Sequence, residues 1–440
     1  MKKKIMWFWT FLLAVLLLGG CNMRTVDQMY HLPKRSDQFL DLQSVMDEAM
    51  AGMEFSAPVS GENRQTVQMA DLDGDGELEY LAFAKSISEK PLRILVFARE
   101  DKTFRHVDTI ESNGAAFDQV EYIQMDDRPG VELVVGRQVS DQVIRSLSAY
   151  SFAQGEAVQL VSAGYTRYLT VDLDHDERQE VFTLCPGIED GSRGIAMLYD
   201  MEKGVVERSL ELNLSQPIDC LKRIITGKLH GGQTAVYVAS SVEDTALITD
   251  VYAIVDGSLS NISMSNESDT SVQTLRNYYV YADDIDNDGV VELPSLIAMK
   301  PIKEPTGVER QEVIRWYALT EDGGAVDKLY TYHNFLGGWY LELSEAWFDR
   351  IAVFQRGNCH EFYLWDDAFR KAEKVLNVYA LSGQNREAFG EQEGYFLLHK
   401  TESVSYVASL EPGAQTLGIT QQDVMRWFHM IHTDWKTGET

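Results

Sequence analysis

The chain has 440 residues, of which 45% are hydrophobic and 24% charged, enough apolar material for a large core and too much for a wholly disordered polypeptide. Its 39 lysines and arginines are outnumbered by 68 aspartates and glutamates, a formal net charge of −29. A surface this acidic repels nucleic-acid phosphates and anionic headgroups, which excludes DNA, RNA and polybasic membrane contact as the main function and favours soluble divalent cations or basic partners. At the N-terminus, Lys2, Lys3 and Lys4 form a basic flank and Ile5 to Leu18 an uncharged apolar stretch. Gly19 and Gly20 then supply small residues before Cys21, the pattern of an export signal. The apolar run is short for a membrane span of about 20 residues.

The ending Leu18-Gly19-Gly20-Cys21 resembles the bacterial lipobox. That resemblance implies a signal peptide over residues 1–20, cleavage before Cys21, and a lipid on the Cys21 thiol. It also implies anchorage on the extracytoplasmic face of a bacterial membrane, with residues 21–35 as tether. Cys185, Cys220 and Cys359 remain, an odd number for an exported chain, and buried free thiols are the expected state. A Cys185–Cys220 bridge stays open at this point, and no cysteine or histidine cluster has zinc spacing.

Residues 36–59 read as a helix and lead-in. Ser36 is placed to cap a helix whose apolar positions Phe39, Leu42, Met46, Met50 and Met53 recur every three or four residues. Residues 60–335 repeat. A first acidic stretch, Asp71, Asp73, Asp75, Glu77 and Glu79, runs into the apolar segment Tyr80 to Ala84. A second, Asp172, Asp174, Asp176 and Glu180, runs into Val181 to Leu184, and a third, Asp284, Asp286, Asp288, Val290 and Glu292, into Leu293 to Ile297. Eroded copies around Asp126 and Lys228 fill the gaps, so the ninth positions Glu79, Glu132, Glu180, Thr234 and Glu292 fall 53, 48, 54 and 58 residues apart. Strand-like runs ending in turns at Gly155, Gly204 and Gly257 keep the same register, and an insertion around Pro301 and Pro305 lengthens the last copy. Each unit reads as acidic loop, strand, strand, turn, strand, the composition of one propeller blade.

Asp-x-Asp-x-Asp-Gly sets carboxylates at alternate positions of a tight loop, where they converge on one hard cation. Glycine at position six permits the bend, position seven (Glu77 or Val290) offers a backbone carbonyl, and position nine another acid. An EF-hand requires a bidentate glutamate at position twelve, where this chain has Ala82 and Ser295, and strands follow instead of helices. The loops resemble the calcium loops of FG-GAP and VCBS-type repeats, as in integrin-like β-propellers. The resemblance implies a mainly β fold, with a β-propeller of about five to seven blades over residues 60–335 and structural calcium in the Asp71 and Asp284 loops. The Asp172 loop, with Glu177 in place of the glycine, is the less complete candidate. The two eroded copies have lost ligands and are expected to bind no metal.

The repeats run out near residue 335. Every tryptophan after Cys21 lies at Trp316 or beyond, and residues 336–440 are expected to form a small α+β C-terminal domain. Its strands are Trp339 to Leu343, Ile351 to Phe354 and Phe362 to Trp365, and a helix should close it over 420–435. No metalloprotease, nucleophile-elbow, phosphate-loop or sialidase-box motif occurs. His429 and His432 are spaced to share a metal but sit among aromatic residues that point to packing. Trp339, Tyr340, Trp347, Phe348, Tyr363 and Trp365 fit a core better than a sugar platform, and Asp366–Asp367 is an acid pair of unknown separation. The expected function is a membrane-anchored, calcium-stabilised, non-catalytic binding or scaffold module with an envelope or extracellular protein or glycan as partner. The alternative is a surface hydrolase acting on glycans or peptides through a dispersed active site.

Overall fold

The computed structural model describes residues 37–431 except 101–102, 140–144, 154, 190, 203–204, 244, 304–310, 346, 385 and 391. The export signal, Cys21, the tether and the expected cap Ser36 lie outside the described residues. The first described element is the helix Asp37–Ala49, which buries Leu42 and Met46 as its spacing requires.

The rest is mainly β, six antiparallel sheets of four or five strands following one another along the chain. In the second sheet the strands run in simple order, Ala116–Ile123, Glu132–Gln138, Arg145–Ser151 and Val158–Tyr165. The third repeats this with Arg167–Val171, Glu180–Cys185, Ile195–Glu202 and Val205–Arg208, and the fourth with Leu221–Lys228, Thr234–Val242, Ala246–Val255 and Ser258–Asn261. In the first, Val67–Ala70 pairs with Glu79–Lys85, and Leu92–Glu100 and Thr103–Ser112 follow. In the first four sheets the acidic loop, intact or eroded, therefore connects a strand to the antiparallel partner that follows it, whereas the Asp284 loop leads into Leu293–Ala298, the first strand of the fifth sheet.

The central strands read as unbroken apolar runs because both faces of each sheet are covered. Leu81 and Phe83 of the first sheet pack on Phe117, Leu133 and Val135 of the second, while Ala82 and Ala84, one residue out of phase, face the helix Asp37–Ala49. The alternation continues. Val134 meets Val181 and Tyr199, Phe182 meets Val236 and Tyr252, and Tyr237 meets Leu293 and Tyr317. Among the described residues no hydrophobic cluster joins the sixth sheet to the first. The outer face of the first sheet belongs to the N-terminal helix, and on the sixth sheet the helix Arg386–Gly390 sets Phe389 against Tyr379.

The division expected at 335/336 falls between two paired strands. Ala325–Asn334 pairs with Trp339–Leu343 in the fifth sheet, whose core is shared with the sixth through Trp339, Phe362 and Val378. The closing helix is shorter than expected. It spans Gln421–Trp427 behind a Thr420–Asp423 capping box, and Phe428–Met430 then turns to strand because Trp339–Leu341 offers it a free edge. Trp339, fully buried at the junction of the two sheets, is the residue to probe. Trp339→Ala should cost about 3–5 kcal/mol in urea unfolding and loosen both sheets, as reported by near-ultraviolet circular dichroism.

Candidate metal centre

Each loop is built around the residue at position two and the acid at position nine. Leu72, Leu173 and Ile285 bury their side chains, and their backbone N–H groups donate to Oε2 of Glu79, Glu180 and Glu292 at 2.7, 2.8 and 3.1 Å. The eroded second loop keeps the same bond, Met125 N–H to Glu132 at 2.9 Å. The acid thus stands at the start of a core strand, or immediately before it, with one oxygen fixed. The second oxygens, Oε1 of Glu180 and Glu292, are buried without a hydrogen-bond partner among the described residues.

Position one organises the turn. Asp71 accepts from the backbone of Gly74 at 2.8 Å and Gly76 at 3.1 Å, and Asp284 accepts from Asp288 and Gly289, both at 2.9 Å. Positions four and six adopt left-handed backbone in all three loops. Gly74 and Gly76 have φ of 78° and 88°, and Asn287 and Gly289 have 60° and 85°. At Gly74 a side chain is also excluded sterically, since a Cβ would lie 2.2 Å from the Pro129 carbonyl carbon. In the Asp172 loop His175 and Glu177 hold the same conformation at 63° and 70°, at the cost L-residues incur there, about 1–2 kcal/mol each.

Three acid sets converge with ligand oxygens within 4.8 Å of one another: Asp71, Asp73 and Glu79; Asp284, Asp286 and Glu292; and Asp172, Asp174, Asp176 and Glu180. The ranking of the loops therefore differs from the sequence expectation, because the loop without glycine gathers the most carboxylates. Asp75 and Asp288, expected as position-five ligands, fall outside the converging sets. Asp75 accepts from Glu77 N–H at 2.8 Å, and Asp288 accepts from Val290 N–H and from Lys328. The Glu77 side chain lies 3.6 Å from Arg99. The basic partners Lys328 and Arg178 went unseen in the sequence, since the lysine comes from another strand and the arginine bonds Asp127 of the preceding sheet at 2.8 Å. In the eroded second loop Arg128 donates to Asp126, so the chain supplies its own positive charge there.

Buried, partnerless carboxylate oxygens facing other carboxylates suit a hard cation, which takes oxygen ligands and neutralises them together. Burial, with neighbouring aspartates adding, pushes Glu79 up to about 7 and Glu180 and Glu292 up to about 8, from an ordinary 4.5. Asp174 and Asp286 are raised for the same reason, while the Lys328 hydrogen bond lowers Asp288.

The loops touch in series. Val131 N–H donates to Asp71 O at 3.0 Å, Gln179 N–H to Gln124 O at 2.7 Å, and Val291 N–H to Lys228 O at 3.0 Å. Between the third and fourth sheets, Thr234 N–H donates to His175 Nε2 at 2.9 Å.

Other candidate residues are used structurally. Asp366 accepts from Arg370 N–H at 2.6 Å and Asp367 pairs with Arg350, while Trp339, Tyr340 and Trp347 are buried. His429 contacts Glu342 at 2.7 Å, and His432 lies outside the described residues. Cys185, Cys220 and Cys359 are free thiols.

No protein-family model matches the chain, and no curated protein does. Among solved structures it is similar to the exotype rhamnogalacturonan lyase YesX, with 13% identity over 75% of this chain and 67% of that one at a TM-score of 0.27. The GH93 alpha-L-arabinofuranosidase of Fusarium graminearum, in complex with arabinobiose, aligns at 11% identity over 82% and 97% of the two chains, TM-score 0.26. The Aleuria aurantia lectin, in complex with Fucalpha1-6GlcNAc, aligns at 9% over 76% and 93%, TM-score 0.24. Scores this low carry no argument about the chemistry of this chain.

The loop geometry sets a pH signature. The three glutamates hold protons more tightly folded than unfolded, so the metal-free protein loses their contribution as pH rises through about 7–8. Its melting temperature should fall between about pH 5 and 8 and level off above. Calcium should cancel that fall, release protons measurable by calorimetry in buffers of different ionisation enthalpy, and add about 1.4 kcal/mol per loop at tenfold excess over the dissociation constant.

Proposed function

We propose that this chain is a lipid-anchored, extracytoplasmic bacterial protein whose propeller-like row of sheets is stiffened by calcium and acts as a non-catalytic binding or scaffold module. The sheets are its blades, related to FG-GAP and VCBS-type repeats. The observation that carries the reading is the common build of the three acid sets. In each, the ninth glutamate is fixed by a backbone N–H at the start of a core strand, where a cation stabilises a turn. The Asp366–Asp367 pair, the other acid pair considered for chemistry, is engaged in a turn and an ion pair. Ligand contact then falls to the loops at the sheet ends, which vary without disturbing the strands. No helix among the described residues is long and apolar enough to cross a membrane, and on this reading Cys21 supplies the attachment.

Two outcomes follow. Labelled palmitate should enter the full chain and fail to enter Cys21→Ala, and incorporation into that variant would remove the anchor from the account. The calcium-loaded protein should retain a specific envelope partner and turn over no generic glycoside, ester or peptide substrate. Turnover that survives Asp73→Ala and Asp286→Ala, but is lost on changing a carboxylate elsewhere, would establish the hydrolase reading instead.

A further inference from the structure

Building on the reading that the acidic loops take a divalent cation, we propose that the Asp172 loop, in the third sheet, is a different kind of site. Its cation is open to a cavity, and Asp200, a residue outside the loop, adds a carboxylate to it. Asp200 lies in Ile195–Glu202, the third strand of that sheet. Val181 pairs with Tyr199, and the same register carried one residue further sets Asp200 opposite Glu180. On its other side Asp200 pairs directly with Glu207. Three adjacent strands thus place Glu180, Asp200 and Glu207 in one row.

Like charges directly opposite across strands destabilise a sheet, so an unrelieved row of three acids is an expensive arrangement. The equivalent registers in the first, second and fifth sheets put Ala98, Ser151 and Ala318 opposite the ninth glutamate. The carboxylate at this position therefore belongs to the third sheet and not to the repeat. Arg178, the guanidinium that acts on Asp200, is bonded to Asp127 and Asp176.

The row opens onto a cavity of about 320 Å³ between the third and fourth sheets, lined by Asp174, Glu180, Asp200, Glu207 and Arg208 on one side and by Ser258 on the other, with the Arg208 guanidinium 3.6 Å from Glu211. Glu180 is only 1% exposed, and its Oε1 has no hydrogen-bond partner among the described residues. A buried, partnerless carboxylate oxygen lining a cavity that holds three further acids and one arginine calls for a cation at that place. Calcium takes six to eight oxygens. Here the converging acids Asp172, Asp174, Asp176 and Glu180 contribute from the loop and its strand, Asp200 adds a carboxylate from the neighbouring strand, and the cavity leaves coordination positions for water or for an oxygen of a bound molecule.

The test uses the purified full chain carrying Asp73→Ala and Asp286→Ala, which leaves the Asp172 loop as the remaining calcium site, with and without Asp200→Asn. Calcium titration calorimetry should show binding weakened at least about tenfold by Asp200→Asn. In chelator the Asp200→Asn protein should melt above its parent, because one member of the acidic row is gone, and it should gain less on adding calcium. Calcium affinity unchanged by Asp200→Asn, or a lower melting temperature in chelator with the calcium gain intact, would give Asp200 a packing role and overturn the proposal alone. Failure of the wild-type chain to bind calcium at all would overturn it together with the metal reading.

Discussion

A glutamate buried at the start of a core strand, with one oxygen fixed by a backbone N–H, is the constraint around which this protein is arranged. Its backbone donor is the N–H of a residue whose own side chain is buried, so the acid cannot swing out to water without unpacking that residue. The remaining negative charge has to be neutralised where it stands, by a proton, a basic side chain or a metal. The second sheet uses Arg128 near its eroded loop, the fifth brings Lys328 to the rim of its acids, and the third sets Arg178 against Asp176 beside the largest acid set.

The loops touch in series through backbone bonds: the carbonyl of Asp71 receives the N–H of Val131, and that of Gln124 receives the N–H of Gln179. At the one junction where the fourth loop is shortened, the imidazole of His175 spans the gap. That bond also accounts for His175 holding a left-handed backbone that glycine would adopt more easily. The loops are thus joined in a row by backbone and His175 hydrogen bonds.

The loops and their period were legible in the sequence because the chemistry demands acids at alternate positions and apolar residues immediately after. The same spacing located the ninth glutamate. The Asp200–Glu207 row was not legible, since its proximity to Glu180 depends on the register of two hairpins and on no local spacing. The convergence of four acids in the Asp172 loop, where glycine is missing, was not legible either. Glu177 adopts the required φ of 70°, so the backbone of the turn survives the substitution. The tryptophan-rich C-terminal stretch suggested a separate domain, yet Trp339 and Phe428 fill the core shared by the fifth and sixth sheets. The terminal helix was overextended because the segment after Trp427 suits helix or strand, and the waiting edge at Trp339–Leu341 decided for strand.

The most direct test of the metal account is the position of the ions themselves. Crystals grown with calcium, measured at a wavelength where its anomalous scattering is strong, should show a peak in each of the three loops. Each peak should lie about 2.3–2.6 Å from an oxygen of Glu79, Glu180 or Glu292. Loops of the same conformation carrying no anomalous density at millimolar calcium, with those glutamates protonated instead, would contradict it.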